Sequence, residues 1–207
     1  MKKTIERKSK LFEIAESQQG FFTAMQAEEC GYIRTNHSYY VKNGQWIREL
    51  RGIYRLALFP VSEHEQLEKY FLWSQNKEGK PQGIYSHETA LNYYELSDLN
   101  PAKLHLTVPK SFRRNSEIPR VVKLHTGEIS KNEVQNAAGF LLTKPLRTLK
   151  DVISSKHTSP EFIKQAIEEA LSRGLIRREH LKELQEVAEK EDFFVSDIKQ
   201  IIKKKAA

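Results

Sequence analysis

Residues 20–56 read GFFTAMQAEECGYIRTNHSYYVKNGQWIRELRGIYRL, and within them the apolar spacing changes from helical to alternating. Thr23 caps a short helix, Ala24 to Cys30, in which Ala27 faces inward and Gly31 closes the turn. Tyr32-Ile33 occupies that turn. Arg34 to Lys42 makes the next helix: Tyr40 and Val41 dock, Asn36, His37, Tyr39 and Lys42 project, and Asn43-Gly44 ends it. After Gly44 the period becomes two. Trp46, Ile47 and Leu50 lead into the Leu50-Arg51-Gly52 turn, and residues 53–58 return as a second strand. Upstream, Ile5, Leu11, Phe12, Ile14 and Ala15 recur near helical spacing through residue 17, with Gln19-Gly20 as a stop. Three helices followed by a hairpin within 60 residues is the order of a winged helix-turn-helix, and Pro60 marks its exit.

A helix that reads the major groove needs polar side chains on one face, because base edges there offer donors and acceptors while nearby cations hold the phosphates. Arg34 to Lys42 supplies this mixture. Asn36 suits adenine and Arg34 suits guanine or phosphate; Thr35, His37, Ser38 and Tyr39 are further candidates for base or backbone contact, and Lys42 for phosphate. An ordinary solvated helix also carries polar residues, so the adjoining hairpin adds weight. Arg48, Arg51 and Arg55 punctuate it, with Arg51 at the tip, where a wing approaches the backbone or minor groove. Exposed strands also use charge against edge pairing, which is the other reading of these arginines. Lys2, Lys3, Lys8 and Lys10 would extend a phosphate footprint, or simply solvate a terminus.

Composition bounds the alternatives. The 207 residues suffice for two small domains, expected at 1–60 and 61–207, and 39% hydrophobic with 29% charged residues describes a globular chain. No apolar run approaches the roughly 18 to 20 residues of a membrane span. The charged start is not followed by an apolar stretch and cleavage site, so a cytoplasmic location is expected. Cys30 is the sole cysteine, which excludes an internal disulfide and any multi-cysteine zinc site; it reads as a small buried residue. A net charge of +7 favours a polyanionic partner. The excess is segregated: residues 1–60 hold 10 basic and 6 acidic residues, 103–125 hold 6 and 1, and 61–102 hold 3 and 7.

Beyond Pro60 the pattern is mixed, so the fold class is α+β, with the winged helix followed by an α/β C-terminal domain that ends in helices. Residues 63–76 form an amphipathic helix carrying Leu67, Tyr70, Phe71 and Trp73. Ile84-Tyr85 is extended, and Ser86 is placed to cap a helix from His87 to Leu96. Leu104, Leu106 and Val108 alternate as a half-buried strand, and 121–124 reads as another. Residues 134–142 suit either strand or helix. Pro145 opens a helix to about Ile153, and Ser159, as cap for a helix starting at Pro160, opens the helical remainder.

Gly20 to Ala27, then Gly31-Tyr32, and finally Arg51 to Leu56 resemble the N-terminal domain of AbiEi-type antitoxins. A second similarity lies in Ser86-His87-Glu88-Thr89-Ala90-Leu91, in Leu106-Thr107-Val108-Pro109 and in Thr143 to Asp151, so the resemblance spans about residues 5–155. It implies a two-gene type IV toxin–antitoxin system of the abortive-infection kind. There the antitoxin represses its own operon by binding inverted repeats in promoter DNA, and opposes a nucleotidyltransferase-like toxin without necessarily touching it. The C-terminal domain would be required for antitoxicity and would assist DNA binding. The basic block from Lys103 to Lys123 suits that task, with Lys110, Arg113 and Arg114 as its candidates; a charged loop between strands is the other reading.

A catalytic reading must find a nucleophile, a base and a stabiliser that converge. Ser86-His87-Glu88 reads more simply as a cap with a solvated helix face, and Cys30 lacks a recognisable paired histidine. Glu117, Glu128, Glu133 and Asp151 lie at spacings that do not establish a metal site. There is no Gly-rich phosphate loop or paired metal-ligand motif, so no cofactor and no enzyme activity are expected. A winged-helix-directed nuclease, a regulator without a toxin partner and a protein-binding winged helix are the alternatives.

Overall fold

Thr23 ends a strand and starts a helix. Its Oγ1 accepts from the Gln26 N–H at 3.2 Å, and Gln26 Oε1 accepts from the Thr23 N–H at 2.8 Å, a reciprocal capping box. The computed structural model describes residues 2–114, 117–137 and 139–206. Their contacts define two units, Met1–Gly83 with Asn136–Leu141, and Ile84–Gln135 with Leu142–Ala207.

In the first unit α1 (Lys2–Ser17) precedes β1 (Phe21–Thr23), α2 (Ala24–Glu29), a 3-10 turn over Arg34–Asn36, α3 (His37–Lys42), β2 (Trp46–Leu50), β3 (Ile53–Leu56) and α4 (Glu65–Trp73). The strands form an antiparallel sheet in the order β1-β3-β2, with Phe22 opposite Tyr54 and Trp46 opposite Leu56. Leu11, Ala15, Phe22, Ala27, Cys30, Tyr32 and Trp46 are its core, flanked by Tyr40, Val41 and Tyr54. Trp46 meets Phe22 edge-on at 4.8 Å and stacks on Tyr40 at 4.7 Å. Such aromatic pairs add about 0.5–1.5 kcal/mol each beyond burial. Gly31, at φ +89°, turns the chain out of α2 so that Tyr32 enters this core. The division differs from the expected break at residue 60, because α4 buries Phe71, Leu72 and Trp73 and packs on β1 and β3.

The second unit contains β4 (Ile84–Tyr85), α5 (His87–Tyr93), β5 (Leu104–Val108) and β6 (Val122–Thr126), then α6 (Pro145–Ser155), α7 (Pro160–Ser172), α8 (His180–Glu191) and α9 (Val195–Ala206). Residues 134–142, which suited helix or strand, form the hairpin β7 (Val134–Ala137) and β8 (Phe140–Thr143), turned at Gly139 with φ +116°. The five-stranded sheet runs β6-β5-β4-β8-β7, with β5 and β6 parallel and β4 antiparallel to β5. The mixed α+β class and the winged helix are as the sequence predicts. Pro145 sits at the start of α6, and Thr148 Oγ1 bonds the Thr143 and Lys144 carbonyls at 3.1 Å. Leu149, Val152 and Ile153 of α6 are fully buried, and α6 packs against α5, α7 and α8.

Two capping expectations are corrected. Ser86 and Ser159 both occupy N-cap positions, but neither side chain makes a cap hydrogen bond. Ser86 Oγ instead contacts His87 Nδ1 at 2.8 Å and Thr107 Oγ1 at 2.7 Å. The face it starts is not solvated, since His87, Thr89, Ala90 and Leu91 are all buried.

Candidate nucleic-acid interface

The recognition segment stands on the aromatic core. Tyr40 and Val41 pack inward as their spacing predicts, and Arg34, Thr35, Asn36, Ser38, Tyr39 and Lys42 are exposed. Tyr39 is 59% exposed, so a large aromatic projects among polar neighbours. Arg34 reaches Glu28 at 3.5 Å, but its side chain remains 76% exposed and available to an anion. Such an exposed pair is worth little and gives way readily to a phosphate.

His37 does not project. It is 3% exposed, its ring faces Trp46 at 5.3 Å and Tyr54 at 5.6 Å, and its Nε2 contacts the Tyr32 carbonyl at 3.3 Å. The segment starts as a 3-10 turn before becoming α-helical. That winding turns residue 37 onto the core side, whereas its neighbours Asn36 and Ser38 stay outside.

On the hairpin, Arg48 and Arg51 are exposed, with Arg51 at the tip beside Gly52, whose φ of +77° makes the tight turn. Arg55 is held inside the unit instead. Its Nε donates to Glu49 Oε1 at 3.2 Å, Lys69 takes the other oxygen at 3.3 Å, and only 13% of the Arg55 side chain is exposed. This pairing braces the wing rather than offering a free cation. On α1, Lys8 and Lys10 are exposed, with Lys10 paired to Glu6 at 3.1 Å. The Lys2 and Lys3 side chains lie outside the described residues. Arg7 stacks over Tyr32 at 4.2 Å; burial pushes that phenol's pKa up while the guanidinium pulls it down.

Ile33 is a further exposed residue of this surface that the sequence pattern does not single out. Tyr32 and Ile33 both read as turn residues, yet Tyr32 is 4% exposed and Ile33 is 66% exposed, beside Arg34 at the start of the recognition segment. An apolar side chain there suits a thymine methyl group. No residue pattern distinguishes the two; the turn at Gly31, with φ +89°, precedes a Tyr32 that packs on Tyr40 and Trp46.

In the second unit Lys110 and Arg113 are exposed and Arg114 is half-buried. Arg113 Nη1 donates to the Lys110 and Phe112 carbonyls at 2.9 and 2.8 Å, folding back on its own loop. Burial lowers the Arg114 pKa. The carboxylates weighed as a nuclease site are otherwise engaged or separate. Arg147 pairs with Glu133 at 2.9 Å and with Asp151 at 2.8 Å, while Glu117 and Glu128 are exposed. Among the described residues, no helix is long and apolar enough to cross a membrane.

A recognition helix on an aromatic core, followed by an arginine-tipped hairpin, defines a winged helix-turn-helix of the DNA-binding class. Residues 9–57 match the family described as "Transcriptional regulator, AbiEi antitoxin". The segments Gly20 to Ala27, Gly31-Tyr32 and Arg51 to Leu56 all fall within that match. A solved structure titled "Crystal structure of RV2827C protein from Mycobacterium tuberculosis" is similar with a TM-score of 0.46 at 10% identity, over 96% of this chain and 81% of that one. No curated protein matches the chain.

Proposed function

We propose that this chain is a DNA-binding autorepressor and the antitoxin of a type IV toxin–antitoxin system, acting by binding rather than by catalysis. The observation that carries the reading is the exposed face of Arg34, Thr35, Asn36, Ser38, Tyr39 and Lys42, anchored by Tyr40 and Val41 and followed by Arg51 at the hairpin tip. The antitoxin-regulator match over residues 9–57 supports it. Asn36 reads a base edge, Arg48, Arg51 and Lys42 neutralise phosphates, and Ile33 lies against the groove wall. Lys110, Arg113 and Arg114 add a sequence-independent contact. The promoter inverted repeats of the chain's own operon are the DNA ligand, and a nucleotidyltransferase-like toxin is the functional partner, opposed without required contact.

Two measurements test this. Fluorescence anisotropy with duplexes from upstream of the gene should give specific binding that weakens steeply with salt, as counterion release requires. Failure to retain any duplex at low salt overturns the DNA-binding reading. Co-expression with the product of the adjacent gene tests the antitoxin role: rescue of growth supports it, and an adjacent gene product that is not toxic overturns it. Metal-dependent DNA cleavage by the chain would favour the nuclease alternative.

A further inference from the structure

The second unit gathers three histidines that are widely separated in sequence. Strands β5 and β6 run parallel with His105 opposite Lys123 and Thr107 opposite His125. Because strand side chains alternate, His105, Thr107 and His125 share one face of the sheet. His87, the first residue of α5, completes the group: its ring lies 3.7 Å from that of His125, and His105 lies 5.0 Å from His125. A ring nitrogen from each of the three lies within 4.8 Å of the other two. We propose that His87, His105 and His125 bind one divalent cation of the zinc class, with a fourth position open to the adjoining cleft.

The arrangement around the rings favours this over a packed aromatic cluster. His105 Nε2 faces Glu88 Oε2 at 3.5 Å, and Glu88 is itself held by Thr158 Oγ1 at 3.0 Å. His105 Nδ1 then hydrogen-bonds His125 Nε2 at 3.3 Å, a contact that an ion between the two nitrogens would replace. A carboxylate on one imidazole nitrogen with the other nitrogen left for the ion is the usual outer support of a histidine ligand. His87 follows the same plan, with Nδ1 held by Ser86 Oγ at 2.8 Å and Nε2 left over. Ser86 is fixed in turn by Thr107 at 2.7 Å, so its oxygen is unavailable to cap α5.

Backbone and protonation are consistent with the same use. His87 adopts φ +52°, a left-handed conformation that costs a non-glycine residue about 1 kcal/mol. Burial, with the neighbouring imidazoles and Lys123, lowers all three pKa values, His87 to about 2 and His105 and His125 to about 4. The rings are therefore in the neutral form that offers a lone pair. His87 and His125 also line a cleft of about 350 Å³ shared with Lys123, Arg147 and Thr107. Three histidines with an open fourth place are the ligand set of a site that keeps a water or an anionic oxygen on the metal. A tetrahedral ion with bonds near 2.0–2.1 Å brings its nitrogens to about 3.4 Å from one another. His105 and His125 already meet that spacing, whereas His87, stacked on His125 at 3.7 Å, has to rotate to aim its Nε2 at the same ion.

The test uses the full chain without an affinity tag, stripped with a chelator and titrated with Zn²⁺ alone. One equivalent should bind, and Co²⁺ in its place should give the visible spectrum of a tetrahedral site. His105→Gln and His125→Gln should each weaken Zn²⁺ by more than the roughly 10- to 100-fold that follows loss of an outer partner. Circular dichroism establishes that they fold. If neither does, ring ¹⁵N spectra of the unmodified chain decide: signals of His87, His105 and His125 should shift with one equivalent, and those of His37, His64 and His180 should not. Absence of stoichiometric binding, binding unchanged in folded variants, or shifts that leave out His105 and His125 would each overturn the proposal.

Discussion

The two units use polar side chains in opposite ways. In the first, Arg34, Thr35, Asn36, Ser38, Tyr39 and Lys42 face outward from a core of Phe22, Tyr32 and Trp46. In the second, Ser86, His87, His105 and Thr107 are buried together at one end of the sheet. A polar face on an apolar core keeps its hydration and is ready for a charged partner, whereas buried polar groups must satisfy one another or hold a ligand. The contrast therefore predicts where substitution changes binding and where it changes the fold.

The largest effect should come from the support of the exposed face. Trp46→Ala removes the ring that touches Phe22, Tyr40 and His37, and should cost about 3–5 kcal/mol in urea denaturation, with DNA affinity lost alongside. Unchanged stability would show that the face does not depend on this core.

Glu68 is a buried polar exception in the first unit. It is fully buried, both carboxylate oxygens lack a hydrogen-bond partner, and burial pushes its pKa up to about 8. The folded state therefore holds a proton that the unfolded chain has released above its ordinary value of 4.5. Stability should fall as pH rises from about 4.5 to about 8, because the native state binds more protons across that window. Glu68→Gln should remove the slope and stabilise the protein at pH 8 by a few kcal/mol, roughly 1.4 kcal/mol per pKa unit. A urea midpoint that is flat with pH in the native chain would contradict this.

Adjacent residues sharpen the comparison next. Asn36→Ala should relax preference at one operator base pair by about 1–3 kcal/mol with little change in melting. His37→Ala should do the reverse, lowering stability by about 1–3 kcal/mol and leaving sequence preference intact, since it empties a packed site. Competition binding on single-base operator variants, paired with thermal melts, separates them; the same pattern for both would erase the distinction. The smallest effect belongs to Arg51→Ala, which should weaken all duplexes alike and reduce the log–log salt slope by about 1.

Legibility followed the same divide. The cap at Thr23, the inward pair Tyr40-Val41 and the hairpin from Trp46 to Leu56 could be read directly, because each rests on contacts between near neighbours in sequence. His37 could not, since a single 3-10 turn rotates it into the core. Arg55 reads as a free wing cation until Glu49 and Lys69 are brought beside it. Ser86-His87-Glu88 resembles a capping signal locally, and Thr107, 21 residues later, together with the adjacent His87 ring withdraws the serine from that role.

The amino-acid sequence by itself determined the winged helix, its exposed polar face and the mixed α and β character of the remainder, because periodicity and turn chemistry act over a few residues. Only the tertiary structure decided that α4 belongs to the first unit, that Arg147 joins Glu133 to Asp151, and that His87, His105 and His125 meet. The physical reason is strand register. The parallel pairing of β5 with β6 places residues 105 and 125 on one face, and that pairing follows from the packing of the whole sheet rather than from local spacing.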